Sequence, residues 1–300
     1  MEYTVFGRTG LKVSKMGLGG APLAGDFGKT DENEVQRVIH ESIDLGINFI
    51  DTAPLYGRGE SERRIGRALE GGRREKVVLT SKAARSDLRY DYRTIIQSVE
   101  DSLQRLRTDW LDLVQLHDVE TQPYELIIEE AIPAIQKLRE DGKVRYLGVS
   151  TKKLDLLMRY MRTGAFDSVQ FYGRYMLLDF SARDALLPLA REMNLGVING
   201  SVLGMGIIAE TPAPFIGRET VEKANEGLQK LKFLRTKEGP GGLIEPGMRF
   251  SFTNPDIHVT LSGVATLEAL RMNAAFCDGR GLEPEQQARL FEALDGNTVF

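Results

Sequence analysis

Residues 46–66 read GINFIDTAPLYGRGESERRIG, and the first half of that stretch carries the unit from which the fold is built. The run from Ile47 to Ile50 has the apolar, β-branched content of a short buried strand. It stops on Asp51, and Tyr56 follows in the connection to an amphipathic segment. A buried carboxylate is strongly disfavoured unless something of opposite charge meets it. The stretch therefore predicts a strand, a loop and a helix, with a partner for Asp51 supplied from elsewhere in the chain.

The same alternation recurs along the sequence. Strand candidates fall at Lys15 to Leu18, Ile47 to Ile50, Val77 to Thr80 and Leu111 to Leu116, then at Val144 to Gly148, Ser168 to Phe171, Gly196 to Ile198 and Ile257 to Leu261. Between and after them lie helical patterns such as ENEVQRVIHESIDLG, YRTIIQSVEDSLQRL and LIIEEAIPAIQKLREDG. Their apolar residues recur at i, i+3 and i+4, and several stop at Gly. Eight such alternations without a break in composition predict an α/β protein, a closed parallel (β/α)8 TIM barrel forming one domain over residues 1–300. An open doubly wound sheet is the rival, but GLGG at Gly17 to Gly20 is not the G-x-G-x-x-G turn that would favour it. Residues 1–14 read as a hairpin, YTVFG and LKVS around Arg8 to Gly10, which would close the barrel bottom. Cover loops are expected at about 118–125 and 204–218.

Composition narrows the function. A hydrophobic fraction of 42%, a charged fraction of 27% and a net charge of −4 describe a globular chain with no basic footprint for nucleic acid or acidic lipid. Cys277 is the single cysteine, so neither an internal disulfide nor a thiolate metal cluster is expected. No apolar run is long enough to span a bilayer, and MEYTVFGRTG lacks an apolar signal core, so the chain reads as cytoplasmic. Nothing in the sequence indicates an oligomeric partner.

Polar residues interrupt the strands in a pattern. Asp51, Lys82, His117, Ser150 and Gln170 all stand at or near the carboxyl ends of candidate strands, and in a barrel those ends share the face on which active sites assemble. Each has an ordinary structural explanation. Asp51 could cap a turn, Lys82 could pair with any carboxylate, His117 could be a satisfied core residue, and Tyr56 could be a rim aromatic. Together they make a chemically complete set. A phenol with an ordinary pKa of about 10 exchanges protons poorly near neutrality unless a cation stabilises its phenolate. Lys82 is expected to be that cation, Asp51 to keep it charged, and His117 to direct a substrate oxygen toward Tyr56. No H-E-x-x-H, Ser-His-Asp or Cys/His pattern points to a metal or an acyl-enzyme.

These residues resemble the aldo-keto reductases. The resemblance rests on GINFIDTAPLYGRGESERRIGRAL, VVLTSK, DWLDLVQLHDVE and GKVRYLGVS, and it runs from about Thr4 to Phe276. It implies an NAD(P)-dependent, metal-free oxidoreductase interconverting carbonyl and alcohol by hydride transfer, with Asp51, Tyr56, Lys82 and His117 as catalytic tetrad and Tyr56 as general acid/base. It further implies that Ser150 and Gln170 hold the nicotinamide amide while Gly19, Gly20 and Thr52 line its side. Ser201, Leu203, Gly204 and Gly206 would wrap the pyrophosphate, and Gly263, Val264, Ala265 and Asn273 would meet the adenosine. Four positions depart from the family's pattern. Gly200 replaces a stacking tyrosine, Gly263 and Ala269 replace frequent basic residues, and Met272 replaces an acid. NADP(H) and NAD(H) therefore both stay open, with Arg271 or Arg218 as possible compensating cations. The FIDTAPLYG and NGSVLGMGII forms are most similar to the aldose (L-galactose and L-fucose type) and pyridoxal dehydrogenase branch. By loop position Leu55, Asp118, Tyr124 and Tyr172 are substrate-pocket candidates, whereas Trp110 begins a strand at the opposite end and reads as packing.

Two other functions are compatible with the residues. One is a cofactor-sensing regulatory protein on the same barrel with little turnover. The other is a Schiff-base aldolase with Lys82 as nucleophile, which a charge-paired lysine disfavours.

Overall fold

Strands buried on both faces need no alternation, and that is how the central segments of this chain behave. In the computed structural model, which describes residues 1–299, every residue of Val78–Ala83 and Leu111–Leu116 is buried. Two short strands come first, β1 (Tyr3–Val5) and β2 (Lys12–Ser14), paired antiparallel with Tyr3 opposite Ser14. Eight parallel strands follow: β3 (Met16–Gly19), β4 (Phe49–Asp51), β5 (Val78–Ala83), β6 (Leu111–Leu116), β7 (Val144–Ser150), β8 (Ser168–Tyr172), β9 (Gly196–Gly200) and β10 (Val259–Gly263). They hydrogen-bond in chain order, and β10 returns to β3, closing the (β/α)8 barrel.

The hairpin closes the amino-terminal end of the barrel. Phe6 lies 5.7 Å from Phe49 at the start of β4 and presses on Gly196 at the start of β9. Tyr146 donates to the Thr9 carbonyl at 2.8 Å. Phe6 and Val13 join Phe49, Val78, Leu113, Ile198, Val259 and Leu261 in an apolar plug that fills the lower interior. Polar side chains are left to the upper interior, at the carboxyl ends.

The helices pack outside. Glu32–Asp44 starts on Asp31, whose carboxylate accepts the Glu34 N–H, and Tyr92–Leu106 starts in the same way on Asp91 and Thr94. The segment read as one helix around Pro133 contains a π turn, Ile127–Ala131, before the α-helix Ile132–Glu140. The proline lacks an N–H and its ring collides with the carbonyl four residues earlier, so the preceding turn widens. Two helices, Ile244–Thr253 and Pro284–Leu294, were not among the patterns expected from the sequence.

Candidate active site

Strand register brings the polar residues together. Asp51 ends β4 opposite Thr80 of β5, and Lys82 lies two residues further on, so Thr80 and Lys82 share one face. Thr80 Oγ1 donates to Asp51 Oδ1 at 2.8 Å, and Lys82 Nζ donates to Asp51 Oδ2 at 2.7 Å and to the Thr52 carbonyl at 2.9 Å. Lys82 pairs in register with Gln115 of β6, Gln115 with Gly148 of β7, and Ser150 with Gln170 of β8, which gathers these residues toward the carboxyl ends of adjoining strands. His117 follows the end of β6, where Asp118 turns the chain with a left-handed φ of 42° that aspartate tolerates.

Tyr56 sits in the turn after β4, held by its N–H to the Ala53 carbonyl at 3.1 Å. Its ring meets His117 edge-on, with centroids 6.0 Å apart, and the Lys82 ammonium lies 5.1 Å from its centroid. Asp51, Lys82, Tyr56 and His117 thus form one cluster.

The electrostatics correct one expectation. The sequence reading has Lys82 lowering the Tyr56 phenol, but burial raises it more than the nearby ammonium lowers it, and the balance lies above the ordinary phenol value. Burial also pulls Lys82 down, yet the charge of Asp51, together with Tyr56, more than offsets this and the ammonium is raised. His117 is held well below the usual imidazole range by burial and by Lys82. The site therefore combines a protonated phenol, a persistent cation and a neutral imidazole. That set can donate a proton and polarise an oxygen.

A cavity of about 1060 Å³ opens over this cluster. Asp51, Tyr56, His117, Ser150 and Gln170 line its floor, with Leu55, Asp118 and Tyr172 beside them. Gly19 and Gly20 leave bare backbone in the wall; a Cβ on Gly20 would lie 2.7 Å from Ser61 Oγ and 2.8 Å from the Asp51 carbonyl. Ser201, Leu203 and Gly206 line the β9 side, and Gly263, Val264, Ala265 and Asn273 the β10 side. Three expected residues stand apart. Thr52 is buried behind the wall on Ser61, Gly204 shapes the turn without lining the cavity, and Tyr124 stacks 5.0 Å from Tyr160 beneath Arg159. Trp110 lies toward the barrel's amino-terminal end, 4.4 Å from Arg74.

The lining suits a dinucleotide. The volume reaches the upper end of ordinary small-molecule sites. Asn273 Oδ1 is buried without a partner among the described residues while its Nδ2 donates to Ser262 at 2.9 Å, so this oxygen is available to a ligand's donor. Lys29 is the one lysine or arginine among the described residues that lines the cavity. Arg271 is engaged by Glu41 through two hydrogen bonds, and Arg218 pairs with Glu222 on the surface.

Two features escaped the sequence reading. Asp26 to Thr30, after β3, lines the mouth, and Phe27 meets Phe215 of the β9 loop edge-on at 5.3 Å. Gln115 lies inside an apolar run and joins Asp51 to Gln170. A glycine-rich loop holding an isolated Phe, and an amide inside a buried strand, were the available signals.

The chain belongs to the aldo/keto reductase family, which it matches over residues 15–295, and it is an enzyme of that type. Catalysis in the family is NAD(P)(H)-dependent. Among its relatives is an L-galactose dehydrogenase of Arabidopsis thaliana, 30% identical over 282 residues that cover 92% of this chain and 88% of that protein. A D-threo-aldose 1-dehydrogenase of Pseudomonas sp is 31% identical over 235 residues, covering 70% of this chain and 71% of that one. A solved aldo-keto reductase of Bacillus halodurans in its holo form shares the fold, with a TM-score of 0.82 and 24% identity over 99% of this chain and 98% of that chain.

Proposed function

We propose that the protein is an NAD(P)-dependent aldose dehydrogenase that oxidises a sugar hydroxyl to a carbonyl and runs the reverse reduction on aldehydes. The observation that carries this reading is the buried Asp51–Lys82 pair with Tyr56 and His117 on the floor of a dinucleotide-sized cavity. The nicotinamide, when bound, accepts or supplies the hydride. The chain's own residues handle the proton. In oxidation the substrate O–H bond breaks and its proton goes to the Tyr56 oxygen; in reduction the Tyr56 hydroxyl gives that proton to the carbonyl oxygen. Lys82 offsets the negative charge that Tyr56 carries when it has lost the proton. Neutral His117 donates one N–H to the same substrate oxygen and fixes its approach. Ser150, Gln170, Gly19 and Gly20 would hold the nicotinamide, the Ser201 to Gly206 loop the pyrophosphate, and Gly263 to Ala265 with Asn273 the adenosine.

A polar substrate is supported by the cavity's other rim. The Asp118 carboxyl is pushed up to about 6, chiefly by burial and then by the charge of Glu120, and it stands close to the Tyr172 hydroxyl. Among the described residues Asp118 Oδ1 has no hydrogen-bond partner. A sugar hydroxyl beside the reacting carbon would satisfy it, whereas an apolar aldehyde would leave it stranded. The L-galactose dehydrogenase of the plant and the D-threo-aldose 1-dehydrogenase of Pseudomonas, as relatives, support the same class. With Lys29 as the one lining lysine or arginine among the described residues, NAD(H) should bind more tightly than NADP(H).

The test is a turnover screen of aldoses, pyridoxal and short aldehydes with each cofactor, read by the absorbance of reduced nicotinamide. Turnover of aldoses above the other classes supports the reading. Tight cofactor binding without turnover of any of them refutes it in favour of a cofactor-sensing protein.

A further inference from the structure

Three buried side chains from three strands form one hydrogen-bonded line across the barrel. Gln115 has no solvent exposure, and its Nε2 donates to Asp51 Oδ1 at 3.1 Å and to Gln170 Oε1 at 2.8 Å. A carboxamide nitrogen carries two hydrogens, and both are used. The line has one sense. As the carboxylate of an ion pair with Lys82, Asp51 offers only acceptors, so the Gln115 oxygen turned toward it would set acceptor against acceptor. With the Gln115 nitrogen fixed on Asp51, its second N–H needs an acceptor, and Gln170 supplies Oε1. The Gln170 nitrogen is thereby turned away from Gln115. It makes no hydrogen bond among the described residues and lies 3.6 Å from where a Cβ of Gly200 would stand, and both residues line the cavity.

The surrounding strands accommodate this line at a cost. A Cβ on Gly148 would lie 2.9 Å from Gln115 Cγ and 2.6 Å from Ser168 Oγ, so glycine leaves the room that Gln115 occupies. Gln115 Oε1 is buried with no partner among the described residues, a penalty that an apolar residue at this strand position would avoid. The amide is not needed to fill the strand.

We propose that Gln115 is a positioning residue for cofactor recognition. It transmits the acceptor character of Asp51 through two amides, so that Gln170 presents N–H, and not C=O, to the carboxamide oxygen of the nicotinamide. The proposal rests on the nicotinamide-dependent function argued above. The ion pair beneath Tyr56 and the orientation of the cofactor ring are then set by one polar line.

The test is a double-mutant cycle on the full-length chain: native, Gln115→Met, Gln170→Met and the double variant. Dissociation constants are measured by calorimetry for whichever of NAD and NADP binds more tightly and for its thionicotinamide analogue, whose sulfur accepts weakly. Gln115→Met is expected to weaken the natural cofactor about tenfold and to abolish the preference for oxygen over sulfur, with little further effect once Gln170 is Met. An equal loss in both backgrounds, or an unchanged preference, overturns the proposal. Should Gln115→Met fail to fold, Gln115→Glu serves: it donates at most one hydrogen in place of two, so the preference must again be lost, and a native preference overturns the role. A native chain that binds neither NAD nor NADP removes the functional reading and this proposal with it, whereas binding without coupling removes the role of Gln115 alone.

Discussion

Replacing Lys82 by Met strands the Asp51 carboxylate in a place water does not reach: the two side chains are 1% and 2% exposed. Asp51 keeps its hydrogen bonds from Thr80 and Gln115, but its counter-charge is gone. Removing one partner of such a buried pair costs about 3–5 kcal/mol, and Asp51→Asn should cost a similar amount by leaving the buried ammonium without its counter-charge. Independent losses would then total about 6–10 kcal/mol in the double variant, comparable to the whole stability of an ordinary protein. The double variant removes both charges and leaves neither stranded, and such replacements are often close to neutral, so its expected loss is below about 3 kcal/mol. Urea unfolding of the four proteins, followed by circular dichroism, reads the cycle. Additive losses, or a double variant less stable than either single one, would refute the claim that the charges exist for each other. The same cycle followed by turnover should show no recovery, since the restored fold lacks the cation beside Tyr56.

Two pH effects follow from the site. Burial holds Tyr56 above the ordinary phenol range, so reduction, which uses the protonated phenol, should be flat through neutrality and fall only in alkali. Oxidation uses the phenolate and should climb over the same alkaline range. Rate profiles of both directions at saturating cofactor check this, and an oxidation rate that is independent of pH while chemistry limits turnover would contradict it. Asp118 acts on stability: with its carboxyl raised from 3.8 to about 6, the folded state keeps a proton that the unfolded state releases between those values, so stability falls as pH rises through that window and levels off above it. Asp118→Asn should abolish the slope and stabilise the protein near neutrality by about 2–3 kcal/mol, measured as the urea midpoint at about pH 4 and about pH 7.

Each barrel strand was legible in the sequence because a strand covered on both faces is a short apolar run. Several ends were placed too early for the same reason. Lys82, Ser150 and Gly200 stop the hydrophobic pattern but remain in the ladder, where Lys82 pairs with Gln115, Ser150 with Gln170 and Gly200 with Tyr172. At the upper end of this barrel the interior is polar, so loss of hydrophobicity marks the site and not the end of the strand. Ile244–Thr253 was masked by the prolines and glycines of KEGPGGLIEPG, although Pro246 lies in its first turn, where a missing N–H costs nothing. Gln115 was illegible for a different reason. An amide within LDLVQL has no meaning until the register brings Asp51 and Gln170 to its two sides. The direction of the Tyr56 shift was illegible because it turns on burial, which exists only in the closed fold.

The central claim is that Tyr56 carries the proton beside a hydride carrier, and the most direct measurement is the turnover of Tyr56→Phe on the best aldose with cofactor affinity measured on the same sample. Turnover is expected to fall at least about 100-fold below native with a cofactor dissociation constant within about twofold of native, since only the hydroxyl is removed. Native turnover in that variant, or equal losses in turnover and cofactor binding, would contradict it.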